Sequence, residues 1–324
     1  MRVVVTGAAG FIGSRFAEML LEEAERLGYD DVVLLDALTY SGRRENMEAA
    51  LSDPRARFVH GSILDPAVVD AALAGASAVV HLAAESHVDR SIAGARPFYE
   101  TNVVGTHQLL ESARRAGVER FVHVSTDEVY GSIEQGAWRE DHVLEPNSPY
   151  SSSKAGSDLA ALAYHRTFDL GVMVTRCSNN YGPRQYPEKV IPLFVTNLLE
   201  GHRVPLYGDG KNVRDWLHVD DHCRGLLAVL ERGRPGEVYN IGGGTELTNL
   251  ELTRRILGLM GADESSIEPV ADRLGHDRRY CVDWSKIRDE LGYAPAVSFE
   301  AGLAATVEWY GDNVGWWRPL KATA

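Results

Sequence analysis

A glycine-rich turn sits between the first apolar run and the first long helical pattern, and no other segment constrains the fold as tightly. Val3-Val4-Val5 is followed by Thr6-Gly7-Ala8-Ala9-Gly10-Phe11-Ile12-Gly13, and an amphipathic pattern then runs through residues 11–27. Glycines in this GxxGxxG spacing let the backbone turn tightly and let an anionic group approach the N–H groups at a helix N-terminus. A turn that needs glycine only for its own geometry would explain this much. The second apolar run, however, ends at Leu34-Leu35-Asp36, about 20 residues past the last glycine, where an acid meets the hydroxyls of an adenosine ribose. Together these features point to a dinucleotide. The Asp36 charge would repel a ribose phosphate, so NAD is expected over NADP.

The strand-then-helix alternation continues. Apolar runs at residues 3–5, 32–35, 57–59, 78–82, 121–124 and 172–175 read as buried parallel strands, and residues 11–27, 101–116 and 152–168 as helices. This rhythm predicts an α/β fold, a doubly wound parallel (Rossmann) sheet with a second, smaller α/β substrate-binding domain. After Arg176 the rhythm breaks at Asn179-Asn180-Tyr181-Gly182-Pro183 and at Tyr207-Gly208-Asp209-Gly210, both rich in turn formers. A helical pattern at 220–230 and a strand pattern at 237–241 can rejoin the main sheet. The expected division is therefore an NAD-binding domain of residues 1–176 plus 222–244, and a second domain of residues 177–221 plus 245–324.

Composition narrows the partners. The 324 residues carry a net charge of −13, which argues against nucleic acid or an anionic membrane and leaves room for a small anion held by a local basic patch. Cys177, Cys223 and Cys281 show no CxxC spacing, so a reducing, cytoplasmic setting without zinc is expected. The strand pattern begins at Val3, which leaves no room for a signal peptide, and no apolar run approaches the roughly 20 residues that span a bilayer.

The chemistry is concentrated in two places. Tyr150 and Lys154 follow Asn147-Ser148-Pro149 at a helix start and, at i and i+4, share one helix face. An ammonium and a positive nicotinamide ring both stabilise a phenolate, which can take a hydroxyl proton while hydride leaves the same carbon. Asp127 and Glu128 lie where the 121–124 run ends. In an extended chain they would point to opposite faces, and at a turning strand end they can reach different atoms of one substrate. Alcohol oxidation alone has no use for that pair; oxidation coupled to loss of water needs an acid and a base. Acids that merely solvate a loop are the plainer explanation, and the Tyr/Lys pair and glycine turn weigh against it.

These residues resemble the extended short-chain dehydrogenase/reductase family and, within it, the dTDP-glucose 4,6-dehydratases. The resemblance covers essentially the whole chain. It is carried by the glycine turn, by His81-Leu82-Ala83-Ala84-Glu85-Ser86-His87-Val88-Asp89, by Ser125-Thr126-Asp127-Glu128-Val129-Tyr130-Gly131 and by Tyr150-Ser151-Ser152-Ser153-Lys154. The second half adds Asn179 to Pro183, Pro187-Glu188-Lys189, Asn212-Val213-Arg214-Asp215-Trp216 and Trp316-Trp317-Arg318-Pro319-Leu320. The resemblance implies that Tyr150, with Lys154, takes the proton of the carbon 4 hydroxyl, which Thr126 binds, while hydride passes to NAD. Glu128 then removes the carbon 5 proton, Asp127 protonates the hydroxyl leaving carbon 6, and hydride returns to carbon 6.

The resemblance also implies the binding sets. NAD is expected against Gly7, Gly10, Phe11, Ile12 and Gly13, then Asp36, Leu38, Thr39, Ser62 and Ile63. Leu82, Ala83, Ala84, Ser86, Thr101 and Val124 follow, with Tyr150, Lys154, Cys177 and Asn179 completing the set. The substrate, dTDP-glucose, is expected against Ser86, Thr126, Asn179, Asn180, Glu188 and Lys189, and further against Pro205, Tyr207, Arg214, Asn249, Arg273, His276 and Tyr280. Arginine forks match phosphate oxygens, so Arg214 and Arg273 suit a diphosphate. A homodimer through helices near residues 101–116 and 152–168 is implied as well. Two positions depart from the pattern: Ser62 stands where an Asp reading the adenine is usual, and Arg184 where an aromatic is usual. Ser62 is expected to loosen NAD retention. The rival readings are an NDP-hexose 4-epimerase, which has no use for Asp127 and Glu128, and a non-catalytic dinucleotide sensor, which has no use for Tyr150 and Lys154.

Overall fold

The β-branched runs pair as the sequence pattern requires. In the computed structural model, which describes residues 1–321, the first six strands are β1 (Arg2–Thr6), β2 (Asp31–Asp36), β3 (Ala56–His60), β4 (Ala76–His81), β5 (Arg120–Thr126) and β6 (Val172–Cys177). After them come β7 (Asn179–Tyr181), β8 (Val204–Tyr207), β9 (Val213–His218), β10 (Val238–Ile241), β11 (Glu246–Thr248) and β12 (Ile267–Val270). Positions 322–324 of the expected second segment lie outside the described residues.

Seven strands form one parallel sheet in the order β10-β6-β5-β4-β1-β2-β3. The order runs outward in both directions from β1 and β4, so their carboxyl ends open a crevice at the point where the winding reverses. Thr6, Asp36, His81, Thr126 and Cys177 are the last residues of five of these strands and so stand at that edge.

Side chains alternate across the sheet and build a core on each face. Val3, Val5, Val32, Leu34, Val80 and Val122 pack with Phe16 and Leu20 of the helix Phe11–Leu27 and with Leu226 and Leu230 of the helix Val219–Arg232. Val4, Val33, Leu35, Val79, Phe121 and Val172 pack on the other face with Leu109, Leu110, Ala161 and Leu162. The 220–230 helix and 237–241 strand patterns thus return to the main sheet, where β10 pairs with β6. A third core joins Tyr181, Phe194, Trp216, Ile256, Phe299, Tyr310 and Trp317, all from the second half of the chain. Two small sheets, β11-β9-β7 and β12-β8, lie in this half.

Two helices depart from the expected spans. The 101–116 pattern opens with a π-helical turn, Glu100–Gly105, before the α-helix Thr106–Ala116. Within that wider turn Asn102 is buried and bonded: its amide donates to the Glu85 carbonyl at 3.0 Å and to Ser153 Oγ at 2.8 Å. Such turns recur beside functional sites. The 152–168 helix begins at Pro149, because Ser148 and Ser151 cap it reciprocally and proline suits the first helical position. Among the described residues no helix is long and apolar enough to cross a membrane.

Candidate active site

The glycine turn packs as closely as its sequence suggests. Gly7 has φ +69°, and a Cβ there would fall 2.6 Å from the Ala83 nitrogen at the end of β4. A Cβ on Gly13 would fall 2.0 Å from the Gly7 carbonyl oxygen, so only glycine lets the helix start this near β1. Asp36 braces the turn: Oδ2 accepts from the Ala9 N–H at 2.9 Å and Oδ1 from the Leu38 N–H at 2.7 Å. Burial raises its pKa and these two bonds oppose the rise. Each oxygen keeps a lone pair for a ribose hydroxyl.

All but one of the expected dinucleotide residues line a single cleft. Gly7, Gly10, Phe11, Ile12, Gly13, Asp36, Thr39, Ser62 and Ile63 line it at one end. Leu82, Ala83, Ala84, Ser86, Thr101, Val124, Tyr150, Lys154, Cys177 and Asn179 continue it. Leu38 does not: it takes φ +50° to bring its N–H onto Asp36, and its side chain packs against the core beneath. Ser62 Oγ accepts from the Leu64 N–H at 3.1 Å, so part of its acceptor capacity is spent on its own turn. Arg184, at φ +67°, forks onto Glu18 at 2.7 and 2.9 Å and donates to the Asn46 carbonyl at 2.8 Å. The departure at 184 therefore ties the cleft wall to the helix Phe11–Leu27.

The same cleft carries the acid pair. β5 ends at Thr126, and the chain enters a 3-10 turn, Asp127–Tyr130. The Thr126 hydroxyl accepts from the Glu128 N–H at 3.3 Å and donates to Asp127 Oδ1 at 3.2 Å. Asp127 is 2% exposed, and its Oδ2 has no protein partner. Burial pushes its pKa well up, and the charges of Glu128 and Asp215 push further, against a smaller pull from Arg214. Burial also raises Glu128, but Arg273, Arg214 and Lys189 oppose it. Asp215 is fixed by Ser178 Oγ at 2.6 Å and by the N–H groups of Gly243 and Thr245 at 3.1 and 2.8 Å.

Tyr150 and Lys154 project from the helix Pro149–Phe168 into this site, both buried. Lys154 Nζ donates to the Val124 carbonyl at 2.8 Å. Burial lowers the lysine pKa, and Asp158 counters it. The expected lowering of the phenol joins the ammonium to the nicotinamide ring, and the protein residues by themselves act the other way. Burial raises Tyr150 well above the usual phenol range, Glu128, Cys177 and Asp127 add to the rise, and the Thr126 hydroxyl opposes it. Burial is the largest of these causes, and the Lys154 ammonium is directed at the Val124 carbonyl.

The expected substrate residues fall into two groups. Ser86, Thr126, Asn179, Asn180, Glu188 and Lys189 line the cleft. Glu188 already holds partners across it, accepting from the Tyr40 hydroxyl at 3.0 Å and from Arg90 Nε at 2.9 Å, while the Arg90 guanidinium lies 4.0 Å from the Tyr40 ring centre. Lys189 Nζ donates to the Ser86 carbonyl at 2.8 Å. The other residues lie outside the cleft lining. Arg214 sits 4.2 Å over the Tyr280 ring, and Arg273 comes within 3.8 Å of Asp89. Tyr207 meets His276 edge-on, and His276 pairs with Asp272 at 2.6 Å. Pro205 lies in β8, opposite Glu268 of β12, and Asn249 opens the helix Asn249–Met260 with its N–H on the Asn212 carbonyl at 2.9 Å. Arg214, Arg273 and Lys189 reach Glu128 through their charge.

Tyr40, Arg90 and the buried group behind Lys154 were missed. Asp158, one turn past Lys154, binds Arg176 Nε at 2.9 Å and His123 Nε2 at 3.2 Å, and Arg176 donates to the Tyr130 hydroxyl at 2.8 Å. The spacing Tyr150, Lys154, Asp158 on one helix face was the signal available for it. Nothing in local sequence brings Tyr40 and Arg90 to Glu188.

Fold and site together define an extended short-chain dehydrogenase/reductase. More particularly, a family model described as GDP-mannose 4,6 dehydratase matches residues 4–306, and the chain belongs to that family. A dTDP-glucose 4,6-dehydratase of Streptomyces antibioticus is 60% identical over 324 residues, covering 99% of this chain and 96% of its own. The crystal structure of a dTDP-glucose 4,6-dehydratase from Streptomyces venezuelae with NAD and dTDP bound is 62% identical, with a TM-score of 0.97 over 99% of this chain and 100% of its own. A UDP-glucose 4-epimerase from Thermotoga maritima shares the fold at a TM-score of 0.87, with 34% identity over 97% of this chain and 100% of its own.

Proposed function

We infer that this protein is a NAD-dependent nucleotide-sugar 4,6-dehydratase that converts dTDP-glucose to dTDP-4-keto-6-deoxy-glucose and water. The observation that carries the inference is the buried Asp127–Glu128 turn opening into the same cleft as Tyr150 and Lys154. A 4-epimerase needs the second pair and not the first.

The cleft fits NAD. The turn at Gly7 to Gly13 offers close backbone approach, and Asp36 stands ready for the ribose. When bound, NAD supplies the hydride acceptor and donor, and its positive ring lowers the phenol that the protein residues alone hold high. Tyr150 takes the carbon 4 hydroxyl proton, with Thr126 bonding that oxygen and Lys154 held against Val124 beneath it. Glu128 is the base at carbon 5, because Arg273, Arg214 and Lys189 favour its ionised form. Asp127 is the acid at carbon 6, because burial and neighbouring negative charge favour its protonated form. The same three cations suit the diphosphate, with Tyr207, His276 and Tyr280 toward the nucleoside. Glu188, Asn179 and Asn180 border the sugar.

The division into residues 1–176 plus 222–244 and residues 177–221 plus 245–324 is proposed on the separate apolar core of the second half. A homodimer is proposed on Tyr99, Val104, Leu159 and Phe168, exposed apolar side chains at or near the two helices expected to pair. A cytoplasmic setting is proposed on the three free cysteines. Incubation with dTDP-, UDP-, CDP- and GDP-glucose tests the activity. A base-sensitive ultraviolet chromophore from a 4-keto product, formed fastest with dTDP-glucose, is expected. A galactose product would indicate an epimerase, and no turnover a sensor.

A further inference from the structure

The glycine turn is held at Ala9 from both sides. The Ala9 N–H goes to Asp36 at 2.9 Å, and its carbonyl accepts from the Arg43 N–H at 3.0 Å and from Asn46 Nδ2 at 2.9 Å. Asn46 is buried, and both of its oxygens are taken by residues of the second half of the chain. Its Oδ1 accepts from Trp316 Nε1 at 3.0 Å, and its backbone carbonyl accepts from Arg184 Nη1 at 2.8 Å. Residues 39–42 line the cleft and lie in sequence between Asp36 and this anchored asparagine. Tyr40 among them is gripped by the second half as well, with its ring edge-on to Tyr186 at 5.3 Å and its hydroxyl on Glu188 at 3.0 Å.

Arg184 joins this loop to the helix that follows the glycine turn. Besides bonding Asn46, its guanidinium forks onto Glu18 of the helix Phe11–Leu27 at 2.7 and 2.9 Å. A bidentate arginine–carboxylate pair fixes direction as well as distance. Arg184 and Glu18 are only 20% and 14% exposed, so water screens the pair less than it screens a surface one. The backbone of Arg184 takes φ +67°, which costs a residue that has a Cβ, and the three bonds offset that cost. The turn and residues 39–42 form two walls of the cleft at the end that Asp36 marks for a ribose. A cofactor seated between them leaves faster when either wall can move.

We propose that Arg184 is a positioning residue for cofactor retention: it ties the 39–46 loop and the helix Phe11–Leu27 to the second half of the chain, so that NAD stays bound between turnovers.

The proposal rests on NAD occupying this cleft, and the two readings fail differently. Holoenzyme is loaded with radiolabelled NAD, and release into excess unlabelled NAD is timed for wild type, Arg184→Asn, Glu18→Ala and the variant carrying both changes. Asparagine tolerates positive φ, so Arg184→Asn removes the guanidinium without adding backbone strain. It is expected to release NAD roughly tenfold faster than wild type. Glu18→Ala is expected to show a similar acceleration, and the double variant to be no faster than Arg184→Asn, because both changes break one link. Activity that Arg184→Asn loses on dilution is expected to return when NAD is added. Release at the wild-type rate in Arg184→Asn would overturn the tie. So would fast release in Arg184→Asn beside wild-type release in Glu18→Ala, since the guanidinium would then hold the cofactor by itself. Multiplied effects in the double variant, or lost activity that NAD does not restore, would overturn it too. Failure of wild type to take up labelled NAD would overturn the cofactor reading instead.

Discussion

The two sides of one short turn differ more than the two halves of the molecule do. Burial raises both acids, but Glu128 and Asp215 add to it at Asp127 against Arg214 alone among the cations, whereas Arg273, Arg214 and Lys189 all oppose it at Glu128 against Asp277. Neighbours in sequence, chemically alike, thereby stand in different fields, and the stronger push toward the protonated form falls on Asp127. The difference is made by residues far away in the chain: Asp215 and Arg214 from β9, Arg273 from the segment after β12, and Lys189 after β7. The two carboxyls come from the first half of the chain, and most of the charges that distinguish them come from the second.

The largest test of that contrast is removal of the groups themselves. Glu128→Gln and Asp127→Asn are each expected to slow formation of the 4-keto product by roughly 10²–10⁴-fold. If both kept wild-type rates, neither carboxyl would be acting at carbons 5 and 6. Arg273→Met is a finer probe, because Arg273 is the largest charge opposing the rise at Glu128 and is not among the main charges acting on Asp127. Its loss raises the pKa of the base, so the acidic limb of the kcat–pH profile is expected to move to higher pH while the alkaline limb stays. Equal movement of both limbs would show that the two acids share one environment.

The smallest effect is on stability. A carboxyl whose folded pKa lies above its unfolded value contributes stability below the unfolded pKa and loses it as pH rises through the folded pKa. Asp127→Asn removes that loss and is expected to raise the melting temperature by about 1–3 °C at mildly alkaline pH. Glu128→Gln is expected to gain less, because three cations already offset its burial. A larger gain in Glu128→Gln would reverse the contrast.

The sheet was legible in the sequence because β-branched runs, glycine turn and helical patterns all state the same architecture locally. Asp36 was legible for the same reason: its distance from the glycines is fixed by one strand–helix–strand unit. Leu38 stands outside the cleft lining and serves Asp36 through its backbone N–H, a role that spacing does not distinguish from a side-chain one. The upward push on the Tyr150 phenol in the absence of a nicotinamide was not legible, for a different reason. A pKa is set by everything within reach, and Glu128 and Asp127 were assigned their own roles without being counted as neighbours of Tyr150. Glu188 was found, but its bonds to Tyr40 and Arg90 join residues 148 and 98 positions away, which no local pattern records.

The division of labour on the turn is tested most directly by hydrogen exchange at carbon 5. NAD-loaded Asp127→Asn and Glu128→Gln are each incubated with dTDP-glucose in deuterium oxide, and deuterium at carbon 5 of the recovered sugar is measured. Exchange is expected to persist in Asp127→Asn, where the base remains and only departure of water is blocked, and to vanish in Glu128→Gln. Exchange lost in Asp127→Asn and retained in Glu128→Gln would assign the base to Asp127 and contradict the account.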